Sequence, residues 1–230
     1  NPIMPSNLHL FSSPGERDID DIVEACRPYV EGKEEPTIAY LPLASLYAER
    51  WLEMTEDAFK GLAELKTINT ELMTQKTIEA IIRDAQVVYV PGGNTFLLNH
   101  RLHASGVMPF LQKRIQSGFP YVGFSAGAIL CGPNILTSKD LNAVGTSFFK
   151  GLNAFPFNVS PHYPLDGHGQ SVKDDWLVDY HFFYDNPVIM LCDGAYVKSE
   201  KGKTSLVRGE AYILRKDSEK ERLDEGQLIK

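Results

Sequence analysis

The run Gly123-Phe124-Ser125-Ala126-Gly127 has the spacing of a nucleophile elbow. A serine at a sharp strand-to-helix corner sits in a strained backbone conformation, so its neighbours must lack bulky side chains. Gly123, Ala126, Gly127 and Ala128 meet that demand. Such a corner also points the free N–H groups of a helix's first turn at whatever the hydroxyl attacks. The same residues suit a tight structural turn with serine as a simple N-cap, because G-x-S-x-G recurs by chance.

A serine hydroxyl is a poor nucleophile until a base takes its proton, and that base needs an orienting acid. Six histidines are available. His9 falls in a strand pattern, and His100, His103 and His181 fall in helical patterns. His162 lies in the rigid, non-helical run Ser160-Pro161-His162-Tyr163-Pro164, the kind of loop that holds catalytic groups. His168, in Asp166-Gly167-His168-Gly169, ranks second because its glycine neighbours imply mobility. His162, Asp166 and His168 together fit no standard metal-ligand spacing. Two aspartates compete for the third role: Asp193 at the end of a predicted strand, and Asp140 in Thr137-Ser138-Lys139-Asp140. Either also reads as an ordinary turn aspartate. Gly92-Gly93-Asn94-Thr95 supplies backbone N–H groups either to an oxyanion hole or to a phosphate at a helix start. The run lacks the lysine of a P-loop, which weakens the nucleotide version.

The elements that must position these groups alternate. Strands are expected over residues 8–13, 37–44 and 86–90, the last two almost continuously apolar as central parallel strands are. Helical spacing covers 18–30, about 45–65, 77–85, 96–103 and 107–117, with a short strand candidate at 67–72. Strand–helix alternation with short turns predicts a parallel sheet covered on both faces, with ligands beyond the carboxyl ends of its strands. The turns after Val90 and after Phe124 both fall there. Residues 153–163 read as extended, 172–184 as a helix and 188–191 as a strand ending in Cys192-Asp193-Gly194. Residues 196–214 read as a hairpin or meander around Lys201-Gly202-Lys203, and the charged segment from Lys216 as frayed.

Length and composition set the remaining bounds. At 230 residues, 43% hydrophobic and 23% charged, the chain suits a single domain spanning 1–230. A net charge of -7 with no basic cluster argues against nucleic acid. No apolar run approaches a membrane span, and no secretory signal is visible. Cys26, Cys131 and Cys192 are odd in number and widely spaced, which points to a reducing, cytoplasmic setting.

Three motifs in order, Pro91-Gly92-Gly93-Asn94-Thr95-Phe96, Gly123-Phe124-Ser125-Ala126-Gly127-Ala128 and Pro156-Phe157-Asn158-Val159-Ser160-Pro161-His162-Tyr163, resemble the peptidase E family. These are the S51 aspartyl dipeptidases, related to cyanophycinases. The resemblance runs from about residue 87 to 198. It implies a flavodoxin-like α/β fold similar to class I glutamine amidotransferases, with serine in place of their cysteine. It places the nucleophile on Ser125, the base on His162 and the oxyanion donors on the backbone of Gly93 and Ala126. The family's acidic position before a glycine falls on Asp193, and a further aspartate implicated in activity on Asp140. Gly92, Asn94 and Thr95 fall in the substrate-binding turn. The implied activity is hydrolysis of small peptides by a serine exopeptidase or dipeptidase, with no metal or organic cofactor and with monomer or dimer open. The rival readings are a cyanophycinase-like amide hydrolase and a non-catalytic flavodoxin-like binding protein. One departure stands out: where relatives carry an arginine for the substrate carboxylate, this chain has Val172, in Gly169-Gln170-Ser171-Val172. The expected consequence is a pocket that disfavours aspartate and tolerates apolar residues, with Phe157, Tyr163 and Trp176 as candidate lining.

Overall fold

Val87, Val88, Tyr89 and Val90 are all buried, and their side chains alternate between two separate cores. Strand β4 (Val87–Val90) must therefore be covered on both faces, as parallel strands are. The computed structural model describes residues 5–13, 18–165 and 169–230. In it β1 (Asn7–Phe11), β5 (Pro120–Phe124), β4, β2 (Thr37–Tyr40) and β3 (Glu64–Thr67) lie side by side in that order, all parallel. Helix α1 (Asp18–Val30) fills one face with Ile22, Cys26 and Val30. Helices α3 (Gln75–Asp84), α4 (Thr95–Ala104) and α5 (Met108–Gln116) fill the other with Ile78 and Ile82, Leu98 and Leu102, and Leu111 and Ile115. A spacing of four puts each of these pairs on one helical stripe. This is the expected α/β class.

The expected hairpin forms β8 (Tyr196–Glu200) and β9 (Lys203–Arg208), which extend the sheet antiparallel beyond β1. A second sheet, not foreseen, runs in the order β11 (Glu221–Leu223), β10 (Ala211–Leu214), β7 (Val188–Cys192), β6 (Asn158–Tyr163). Val159, Ile189, Leu191, Ala211 and Ile213 on one of its faces join the large core. Val188 and Met190 on the other face meet Leu177 and Tyr180 of α7 (Gln170–Phe183).

Several boundaries differ from the sequence reading. The strand expected over 37–44 ends at Tyr40, with residues 41–44 buried in a loop, and the helix expected over 45–65 is confined to α2 (Glu49–Ala58), after which Phe59 turns fully into the core. The strand candidate at 67–72 lies earlier, as β3. Residues 196–214 divide between the two sheets rather than forming one meander. The segment after Lys216 is not frayed: Leu223 and Ile229 are buried anchors among charges, and β11 and β12 (Leu228–Ile229) each join a sheet. Residues 14–17, which follow the strand expected over 8–13, and Asp166 and His168 lie outside the described residues. Among the described residues, no helix is long and apolar enough to cross a membrane.

One buried polar contact carries a pH dependence. His9 on β1 sits between two tyrosine hydroxyls, with Nδ1 2.5 Å from Tyr196 Oη and Nε2 2.6 Å from Tyr29 Oη. Burial, with Lys198 adding to it, pushes this imidazole down to about 4. Between that value and its ordinary 6.5, the unfolded chain holds a proton that the native chain does not. Stability therefore rises with pH through this window and is lost as pH falls from about 6.5 to about 4, by roughly 2–3 kcal/mol. Urea unfolding across the window should show a shallower slope for His9→Gln than for the native sequence. Equal slopes would show that His9 does not carry the effect.

Candidate active site

Strand β5 ends at Phe124, and helix α6 (Ala126–Ile129) starts two residues later. Ser125 makes the corner with φ 52° and ψ -112°. Its N–H donates to Phe11 O at 3.0 Å, so the end of β1 holds the corner from the neighbouring strand. The demand for small residues has a direct cause: a Cβ on Gly127 would lie 2.0 Å from the carbonyl oxygen of Val90. The short helix is pressed against the end of β4, and only glycine permits that approach.

His162 and Asp193 come from the second sheet. The pairing of β6 with β7 shifts register between Ser160 and Tyr163, and His162 takes φ 57°. A bulge re-aims a side chain, and here it turns His162 outward while Tyr163 stays buried. Asp193 lies in the turn that follows β7. Ser125 Oγ and His162 Nε2 are 2.8 Å apart, and His162 Nδ1 lies 2.7 Å from Asp193 Oδ1. With Nδ1 protonated and donating to the carboxylate, Nε2 is left to accept the serine proton. The two side chains are 45% and 58% exposed, so their bond acts mainly by orientation rather than through a strong buried charge.

Ser12 was not foreseen. It is fully buried just beyond β1, and its Oγ accepts from the N–H of His162 at 2.8 Å. The same hydroxyl faces Asp193 Oδ1 at 2.9 Å and Leu191 O at 3.1 Å, to which it donates. One hydroxyl thus steadies both the backbone of His162 and the carboxylate behind its ring. Finding it from sequence requires knowing that β1 lies between the nucleophile strand and β8, and no local pattern encodes strand order.

Asp140 does something else. Its Oδ2 accepts from Thr95 N at 2.8 Å, from Thr95 Oγ1 at 2.7 Å and from Ser138 Oγ at 2.9 Å. It caps the start of α4 rather than meeting the imidazole, and so corrects its candidacy as the orienting acid. Asn94 completes the stitch: its Oδ1 accepts from Leu97 N and its Nδ2 donates to Leu141 O. The turn before α4 is therefore tied to residues 138–141 on two sides. Gly93 takes φ +139°, and a Cβ there would lie 2.5 Å from Ala44 O.

Ser125 and His162 open into a cleft of about 800 Å³. Gly92, Gly93 and Asn94 line it. Thr95 does not line it, because its side chain is buried on Asp140. Val172 also lies elsewhere, 57% exposed on the first turn of α7. Its neighbour Lys173 donates to Pro161 O at 3.0 Å, and burial with Lys139 nearby lowers it to about 8. Phe157 and Tyr163 belong to the core, and Trp176 packs under Lys139. The cleft is walled instead by residues from β2, the 41–48 loop and α2.

Residues 8–207 match the model of Peptidase family S51. Peptidase E of Nostoc sp. is 30% identical over 197 residues, covering 82% of this chain and 79% of that protein. Peptidase E of Shewanella denitrificans is 29% identical over 220 residues, covering 93% and 90%. Among solved structures, a peptidase from an acI-B1 Actinobacterium superposes with a TM-score of 0.71 at 20% identity, over 98% of this chain and 97% of that one. That last likeness bears on the fold alone, which is flavodoxin-like α/β.

Proposed function

We propose, from the premise that this chain belongs to peptidase family S51 and is a serine peptidase, that it is an exopeptidase cleaving small peptides through Ser125, His162 and Asp193. The observation that carries this reading is the unbroken relay of 2.8 Å and 2.7 Å from hydroxyl through imidazole to carboxylate. Ser125 Oγ attacks the scissile carbonyl as its proton passes to His162 Nε2. The tetrahedral oxyanion is received by the N–H groups of Gly93 and Ala126. The second is a first-turn amide of α6, a position with no partner inside the helix. The imidazolium then gives its proton to the leaving amine, and the C–N bond breaks to leave an acyl-serine. Water, deprotonated by His162, releases the acid and restores the serine. Asp193 holds the ring in the tautomer that each step needs.

An active-site-directed fluorophosphonate tests this directly, since only an activated serine is phosphonylated. One label per chain is expected, at Ser125 by peptide mapping, and none after denaturation. Failure of a folded, hydrolytically active preparation to label at Ser125 would overturn the assignment.

A further inference from the structure

The cleft beside Ser125 has a built floor. Tyr40 closes β2, Tyr89 lies in β4 and Phe124 closes β5. Their rings succeed one another, with centroids 5.4 Å apart from Tyr40 to Tyr89 and 6.4 Å apart from Tyr89 to Phe124. This aromatic row ends at the residue before the nucleophile. Above it, Trp51 and Met54 of α2 and Leu46 of the 41–48 loop line the same cleft. These three are 56%, 50% and 67% exposed. Uncovered apolar groups gathered in a concavity mark a ligand surface. Among the described lining residues there is no Asp, Glu, Lys or Arg. Arg101, which donates to Leu43 O and Ser45 O while paired with Glu71, instead fixes the loop that carries Leu46.

We propose that this surface is the specificity subsite, and that it takes a large apolar side chain, aromatic or long aliphatic, on the residue next to the cleaved bond. The proposal rests on the peptidase reading given above. Its occupant is fixed by continuity: Ser125 and His162 are themselves lining residues, so whatever fills the cleft is joined to the bond being cut. The volume of about 800 Å³ far exceeds the needs of a small acidic side chain. An aspartate carboxylate placed on the aromatic row gives up hydration without gaining a lysine or arginine partner among the described lining residues. A phenylalanyl or leucyl side chain covers Trp51, Met54 and Leu46 and removes their apolar area from water. Trp51 is the principal determinant, because it is the largest of these exposed side chains.

The test is a panel of dipeptides X-Ala and Ala-X, with X as Phe, Leu, Ala or Asp, run on the native sequence, Trp51→Ala and Trp51→Phe. Fluorophosphonate labelling of each protein is measured in parallel. In at least one series, kcat/KM for Phe or Leu is expected to exceed that for Ala and for Asp by about tenfold or more. Trp51→Ala should cut the Phe-over-Ala ratio several-fold, and Trp51→Phe should largely restore it. A preference for Asp, a flat panel, or a ratio untouched by Trp51→Ala, each with labelling intact, overturns the subsite while leaving the peptidase reading standing. Loss of labelling and of all hydrolysis in the native protein overturns both.

Discussion

Ser125→Ala is expected to fold as the native chain does and to lose dipeptide hydrolysis by a factor on the order of 10⁶. The size of the loss follows from the arrangement: without the hydroxyl, His162 has no serine proton to take and the ring that Asp193 orients has nothing to activate. The fold should survive because Ser125 makes its structural bonds through its backbone. Its N–H donates to Phe11 O, and its carbonyl accepts from Ala128 and Ile129. Alanine can form all of these. Steady-state kinetics on a circular-dichroism-matched pair would measure it. Retention of a tenth of native activity by the pure variant would remove Ser125 as the nucleophile.

The second large effect separates the two aspartates. Asp193→Asn should lower kcat on the order of 10⁴-fold, because an amide facing His162 Nδ1 favours the wrong tautomer of the ring. It should scarcely change the denaturation midpoint, since Asp193 is half exposed and lies in a turn. Asp140→Asn should show the opposite balance. It weakens the cap on Thr95 N, costing about 1 kcal/mol of stability, and lowers activity far less. Measuring kcat and urea midpoints for both variants decides the matter. A larger kcat loss in Asp140→Asn than in Asp193→Asn would return Asp140 to the role of orienting acid.

What the sequence made legible, and what it did not, divides along the range of the interactions involved. The corner at Ser125 was readable because its cause is local: a tight turn demands glycine and alanine at fixed offsets. The parallel sheet was readable because its strands are apolar on both faces. The place of His162 in a rigid segment followed from its flanking prolines. The choice between Asp193 and Asp140 was not local. Both follow the elbow in sequence, and only the pairing of β6 with β7 brings one of them to the imidazole. Val172 was placed by analogy at the arginine position, yet it sits on an exposed helical turn. The true walls of the cleft, Trp51 and Met54, looked like an ordinary amphipathic helix. Leu223 and Ile229 passed as tail because two apolar residues among charges make no periodic signal. Ser12 had no signal at all.

The position of β1 has a consequence for how the protein is made. Among the described residues β1 is the first strand, yet it lies between β5 and β8, pairing with both. Its end holds Ser125 through Phe11, and His162 and Asp193 through Ser12. Emergence from the ribosome runs in the opposite sense to this geometry. β1 has neither neighbour until β5 is made and one open edge until β8 follows, and the carboxylate arrives only with Asp193. No nascent chain that ends before that residue carries a complete relay, and β1 gains its second neighbour later still.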